Sequence, residues 1–177
     1  MNTEQQKIEY KSLQKIRTGE KGFKELSTTC VALANAQGGQ IMIGVEDNTK
    51  KPAPNQVIPQ EEANSAVTRL RGLCFNVGLA VGDVCADETG SQYFAITVFP
   101  SLHSYATTSD GKMYIRVADK CEPVRSEDIQ RVGEEKGAFQ WELVPTRFEL
   151  EDENKTNLSK FANDIRQSDR VKQHIKQ

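Results

Sequence analysis

The cations Lys7, Lys11, Lys15, Arg17, Lys21 and Lys24 crowd the amino-terminal stretch and make it the most basic part of the chain. Brought to one face, these side chains would form a patch suited to phosphate. Spread around the surface, they amount to a solvated exterior. A sparser group, Lys112, Arg116 and Arg125, lies farther along. Arg116 alternates with Ile115 and Val117, so it should point away from the core side of its strand, with Asp119 or Glu122 at hand as a partner. Acids punctuate the same amino-terminal region: Glu9 stands between Ile8 and Tyr10, and Glu46-Asp47-Asn48 follows a hydrophobic run. By residue type, Glu9 fits the solvent face of an edge strand or a pair with Lys11 on the same face. Glu46-Asp47-Asn48 fits a turn.

Other chemistries find little footing. Cys30, Cys74, Cys85 and Cys121 are scattered with no Cys-x-x-Cys pair, and His103 and His174 are the only histidines, so a structural zinc site is not expected. Cys30 and Cys74 fall in apolar helical patterns and read as buried reduced thiols. No Gly-x-x-x-x-Gly-Lys-Ser/Thr is present to cradle a triphosphate. His103 has no nucleophile motif near it and reads as a surface residue. Aromatic residues make 7% of the chain and do not interleave with basic ones, so Phe139 and Trp141 read as packing anchors rather than base-stacking platforms.

The elements that must position these residues follow from periodicity. A short strand is expected over Ile8 to Leu13. A helix follows over Glu20 to Gln37, with Phe23, Leu26, Cys30, Leu33 and Ala34 on one stripe. Gly38-Gly39 should stop it and launch a strand over Gln40 to Glu46, buried on both faces. A turn-rich loop carries Pro52, Pro54 and Pro59 to a second helix over Glu61 to Val77. Strands are expected over Val81 to Ala86 and Tyr93 to Phe99, joined at Glu88-Thr89-Gly90-Ser91, and again over Met113 to Val117. Ser126 is placed to cap a short helix. After Trp141 comes an acidic run, Glu149 to Glu153, then an amphipathic helix over Asn157 to Arg170 through Leu158, Phe161 and Ile165.

With 177 residues, 37% hydrophobic and 27% charged, the chain suits one well-buried domain and an appendage. Residues 1–140 are expected to form the domain; 141–177 read as a linker and helical extension leading to a further domain. No apolar run approaches the roughly 20 residues that cross a bilayer, and the first residues lack a signal peptide's apolar core. A cytoplasmic location with no membrane partner is the default. The net charge of −2 runs against a module that lives by phosphate contacts alone. Nucleic-acid affinity would have to come from a local basic patch, a partner domain or an oligomer.

The ordered pieces Glu9-Tyr10-Lys11, Ala34-Asn35 with Gly38-Gly39, Gly44-Val45-Glu46-Asp47, and Tyr114-Ile115-Arg116-Val117 resemble the Schlafen AlbA-like domain over roughly Glu4 to Val132. The resemblance implies an α+β fold with a mixed β-sheet flanked by helices. It also implies a DNA-binding module at the front of bacterial transcriptional regulators. That family's strand carries an arginine where Arg116 stands, which implies contact with a ligand or partner. On this reading Lys7, Lys11, Lys15, Arg17, Lys21, Lys24 and Arg116 would make weak, backbone-directed contacts to DNA or RNA.

Some eukaryotic Schlafen proteins, similar in this domain, cleave structured RNA with three acids. Carried over by position, these are Glu4, Glu9 and Asp47, or Glu46 if the register slips by one. Such acids would hold Mg²⁺ or Mn²⁺, whose hard character favours carboxylate oxygens, and the ion would generate hydroxide for phosphodiester hydrolysis. Outside that reading no cofactor is expected. A third reading is a protein–protein or homo-oligomerisation module whose partner supplies the function, which the acidic balance favours.

Overall fold

The computed structural model describes residues 7–102, 104–135 and 152–167. The chain divides into two compact units, Met1–Gln140 and Trp141–Gln177.

The first unit opens with strand β1 (Ile8–Lys11), the single-turn helix α1 (Gln14–Arg17), helix α2 (Glu20–Asn35) and strand β2 (Gly39–Ile43). β1 and β2 pair in parallel, Glu9 opposite Ile41 and Lys11 opposite Ile43, so the helices carry the crossover that parallel strands require. Two adjacent glycines make the α2–β2 junction possible. Gly38 has φ +73°, a conformation that costs a side-chain-bearing residue free energy. Gly39 has no room for a side chain, because a Cβ there would strike the Lys7 carbonyl. That carbonyl accepts the Gln40 N–H at 2.7 Å and starts the β1–β2 ladder.

Helix α3 (Gln60–Leu73) leads into β3 (Cys74–Phe75), β4 (Gly78–Val81), β5 (Cys85–Ala86) and the long strand β6 (Gln92–Phe99). The main sheet runs β1-β2-β6-β4, with β5 also on β6; β6 is antiparallel to all its neighbours. Two ribbons complete the unit. β3 pairs with β7 (Thr107–Thr108), and β8 (Tyr114–Val117) pairs with β9 (Lys120–Pro123). A 3-10 turn (Ser126–Asp128) then precedes α4 (Ile129–Glu135). The result is the expected α+β fold with a mixed sheet.

Ile41, Ile43, Leu79, Phe94, Ile96 and Val98 bury one face of the sheet in a core shared with Phe23, Leu26, Cys30 and Leu33 of α2 and Val67 and Leu70 of α3. β2 is therefore buried on one face only; Gln40 is exposed and Met42 half-buried on the other. The stripe of α2 is wider than its apolar spacing suggests. Val31 and Ala32 are buried as well, because β8 packs along the same helix.

Other boundaries also shift. α3 ends at Leu73 rather than Val77, since Cys74 turns extended and pairs with Thr108. The strand expected over Val81 to Ala86 breaks at Gly82, whose N–H still reaches the Ala95 carbonyl at 2.8 Å. Ser126 makes no side-chain cap; Arg125 occupies the cap position.

The second unit contributes α5 (Asp152–Gln167), on which Leu158, Phe161 and Ile165 are all exposed. No helix among the described residues is long and apolar enough to cross a membrane.

Candidate functional site

Register places Glu9 and Lys11 on the helix-facing side of the sheet, in line with Ile41 and Ile43. Glu9 lies at the sheet's edge, and both its carboxylate oxygens are engaged. Lys11 Nζ donates to Oε1 at 2.6 Å, and Arg116 Nη2 donates to Oε2 at 2.5 Å. The Lys11 pairing is one of the arrangements that strand alternation allows. The Arg116 pairing corrects the expected local partner: neither Asp119 nor Glu122 holds it. Arg116 is not solvent-directed either, its side chain being 5% exposed.

Its Nη1 donates to the Cys121 sulfur at 3.5 Å, while the buried Nε has no partner. Burial pulls the Arg116 pKa down, but the bonds to Glu9 and Cys121 outweigh it and the net shift is upward. The guanidinium stays charged, and it ties β8 to β1, 107 residues apart in sequence.

Asp47 belongs to a different cluster. It pairs with Lys50, whose bond and charge hold the carboxyl below the usual aspartate range. Lys50 in turn sits 4.3 Å from the centroid of the Tyr10 ring, and Tyr10 points to the opposite side of β1 from Glu9 and Lys11. Glu9 and Asp47 are thus bonded to different cations. As placed, they do not fit a shared divalent ion, because both oxygens of Glu9 are committed to ammonium and guanidinium hydrogens. No cluster of three metal-ligating side chains occurs among the described residues. Glu4 lies outside the described residues, as do His103, Phe139 and Trp141. Glu46 is half-buried beside the loop, its carbonyl accepting the Lys50 N–H at 2.8 Å.

The amino-terminal cations sort into two classes. Lys15 pairs with Glu25, whose carboxyl is lowered by that bond. Arg17 grips Glu62 with two bonds, Nε at 2.7 Å and Nη2 at 2.8 Å, which lowers the Glu62 pKa and raises its own. Lys7, Lys21 and Lys24 are exposed and make no ion pair among the described residues. Lys21 and Lys24 are three residues apart near the start of α2, hence on one side of the helix. Lys7 precedes β1 beside Gly39, at the other end of α2. A helix of 16 residues is about 24 Å long, so Lys7 does not join them. In the second group, Arg125 lies 3.7 Å from Glu127 and Lys112 lies 3.0 Å from Asp110.

Asn35 has a structural task that sequence order does not reveal. Its side-chain nitrogen donates to the carbonyls of Ala106 (2.8 Å) and Tyr114 (3.0 Å), and its oxygen accepts the Ala106 N–H at 2.9 Å. The end of α2 is thereby locked to the chain leading into both ribbons. A buried amide at the last helical turn is the signal that could have found it, but the partners lie more than 70 residues away.

Comparison with known proteins matches these features to one family. The model described as Schlafen, AlbA_2 covers residues 4–125. Among solved structures, the DIP2311 protein from Corynebacterium diphtheriae is similar over 70% of this chain at 20% identity, with a TM-score of 0.50. At that identity the likeness concerns the fold. The chain spans 26% of that protein's length. No curated protein matches.

Proposed function

This chain belongs to the Schlafen AlbA_2 family, and from that premise we propose that it is a nucleic-acid-binding regulatory module, the DNA-contacting part of a bacterial transcriptional regulator. The observation that carries the proposal is the sorting of its cations. Lys15 and Arg17 each hold an acid of their own, and Lys11 and Arg116 share Glu9 beneath the helices, whereas Lys21 and Lys24, on one side of α2, make no close ion pair among the described residues, Lys21 acting on Glu25 only through its charge. Lysines of this kind hold phosphates without reading bases. The Lys15–Glu25 pair is partly exposed, and such pairs open at a cost below about 1 kcal/mol, so Lys15 can join when a polyanion arrives. Binding of this sort is weak and salt-sensitive, consistent with a net charge of −2.

The test is fluorescence anisotropy of labelled duplex DNA and structured RNA across a salt series. Each phosphate contact contributes about 0.9 to the slope of log affinity against log salt for duplex DNA. The Lys21→Gln, Lys24→Gln double variant should flatten that slope by about 2. An unchanged slope would remove α2 from the interface.

A protein-interaction role rests on a separate observation. Leu158, Phe161 and Ile165 are 48%, 62% and 44% exposed on α5, a spacing of three and four that forms one apolar stripe. Concentration-dependent self-association that Phe161→Ser abolishes would support it.

A further inference from the structure

Between α2 and the turn joining β7 to β8 lies a cleft of about 320 Å³, with Lys24, Ser27 and Thr28 on one wall and Thr108, Ser109, Asp110 and Lys112 on the other. Leu73 is its main aliphatic contact, and Tyr114 completes the lining. The hydrogen bonds already made inside it determine what it can accept. The Ser27 and Thr28 hydroxyls both donate to the Lys24 carbonyl, at 2.8 and 3.1 Å. Thr108 donates to Asp110 at 2.5 Å and receives the Lys112 N–H at 3.2 Å. Asp110 also takes Lys112 Nζ at 3.0 Å, so each oxygen of the cleft's one carboxylate is occupied.

The Lys24 ammonium, the Ser109 hydroxyl and the Tyr114 phenol have no hydrogen-bond partner among the described residues, and Lys112 keeps two further N–H groups. All four groups can donate, and the two ammoniums can do nothing else. With two lysines against one aspartate the cleft carries a net positive charge, and a cation has no free carboxylate to bind. The apolar part of the lining, with Leu73 and the Tyr114 ring, suits a sugar or base edge beside the charged groups.

We propose that this cleft binds a phosphomonoester, such as the 5′-phosphate of a nucleotide or of a nucleic-acid end. A monoester has three terminal oxygens and a charge near −2 at neutral pH, which suits four unspent donor groups better than the two free oxygens of an internal diester. The volume lies at the lower end of ligand pockets, ample for a phosphate with part of its sugar. The inference draws on the nucleic-acid reading only for the source of the phosphate; the donor arrangement stands without it.

The experiment compares one single-stranded oligonucleotide in 5′-phosphorylated and 5′-hydroxyl forms, with inorganic phosphate and a 5′-mononucleotide as separate probes followed by NMR shifts. The 5′-phosphorylated strand should bind about tenfold tighter, the worth of one charge-assisted hydrogen bond. Lys24→Gln with Lys112→Gln should erase that preference. Tyr114→Phe, which removes a hydroxyl and no packing, should reduce it several-fold. Lys21→Gln, outside the cleft, should weaken both strands alike. Equal, salt-sensitive binding of the two strands would overturn the cleft and leave nucleic-acid binding standing. Mononucleotide or phosphate shifts at Lys24 and Tyr114 without strand binding would do the reverse. Silence from every probe would overturn both.

Discussion

Replacing Glu9 by glutamine measures how much the fold depends on an acid that the family resemblance offers as catalytic. The glutamate side chain is 17% exposed and Arg116 5%. Glutamine keeps the shape and one acceptor but removes the charge. Arg116 then remains buried and cationic, with its Nε unpartnered and a sulfur as its other contact.

Breaking a buried ion pair from one side costs about 3–5 kcal/mol. The lower figure applies here, because the amide oxygen still accepts a bond and Lys11, 25% exposed, can turn to water. About 3 kcal/mol corresponds to a melting temperature roughly 6–12 °C lower for a chain of this size. Arg116→Met should cost less, about 1–2 kcal/mol, since Glu9 keeps Lys11 and partial solvation. The Glu9→Leu, Arg116→Met double variant should recover most of the loss, as apolar replacements of buried pairs commonly do. Thermal unfolding followed by circular dichroism, with the Glu9→Leu single variant added, gives all four corners of the cycle. A Glu9→Gln protein melting within about 1 °C of the parent would refute the clamp, and so would a double variant no better than the worse single one.

Asn35→Ala strands the Ala106 N–H and two carbonyls, and should lower stability by about 3 kcal/mol in urea titration. Asn35→Asp should also destabilise, because a carboxylate cannot donate to the two carbonyls. Gly39→Ala sets a methyl against the Lys7 carbonyl; faster amide exchange at Gln40 and Ile41 should report the loosened β1–β2 ladder. Glu62 titrates below its ordinary value of 4.5 because Arg17 bonds it. Its contribution is therefore present above pH 4.5 and disappears as pH falls through the lower folded value. Glu62→Gln should melt slightly below the parent at neutral pH, by less than about 1 kcal/mol, with the gap closing as pH falls through that lowered value.

Local pattern carried the elements and missed the long-range pairings. The α2 stripe is legible because Phe23, Leu26, Cys30 and Leu33 repeat with helical spacing, and Gly38-Gly39 announces its end. The ribbons are not. β3 and β7 are two residues each, too short for alternation to distinguish from turns, and β9, Lys120–Pro123, is as long as β1 but carries Lys, Glu and Pro in place of strand-forming residues; all three exist because a partner strand lies opposite. Arg116 shows the same limit at the site. Alternation with Ile115 and Val117 fixes its side of β8 but not what lies beyond, and its acid is 107 residues away in sequence. The ion pairs that quench Lys15 and Arg17 are equally invisible without the approach of α1 to α2 and α3. The sequence therefore names a basic region, and the fold decides which of its charges remain available.

The clamp role of Glu9 also determines how a nuclease could be recognised. Glu9→Gln would abolish cleavage whether Glu9 held a metal or merely held the fold, so its loss of activity separates nothing. Asp47 is the better probe. Its side chain is 80% exposed and, among the described residues, is bonded to Lys50, itself 52% exposed, so Asp47→Asn should leave the melting temperature within about 1 °C. Structured RNA incubated with Mn²⁺ and the parent protein should remain intact on a gel. RNA shortened by the parent and spared by a fully folded Asp47→Asn protein would make Asp47 a catalytic acid, and the regulatory reading would yield to catalysis.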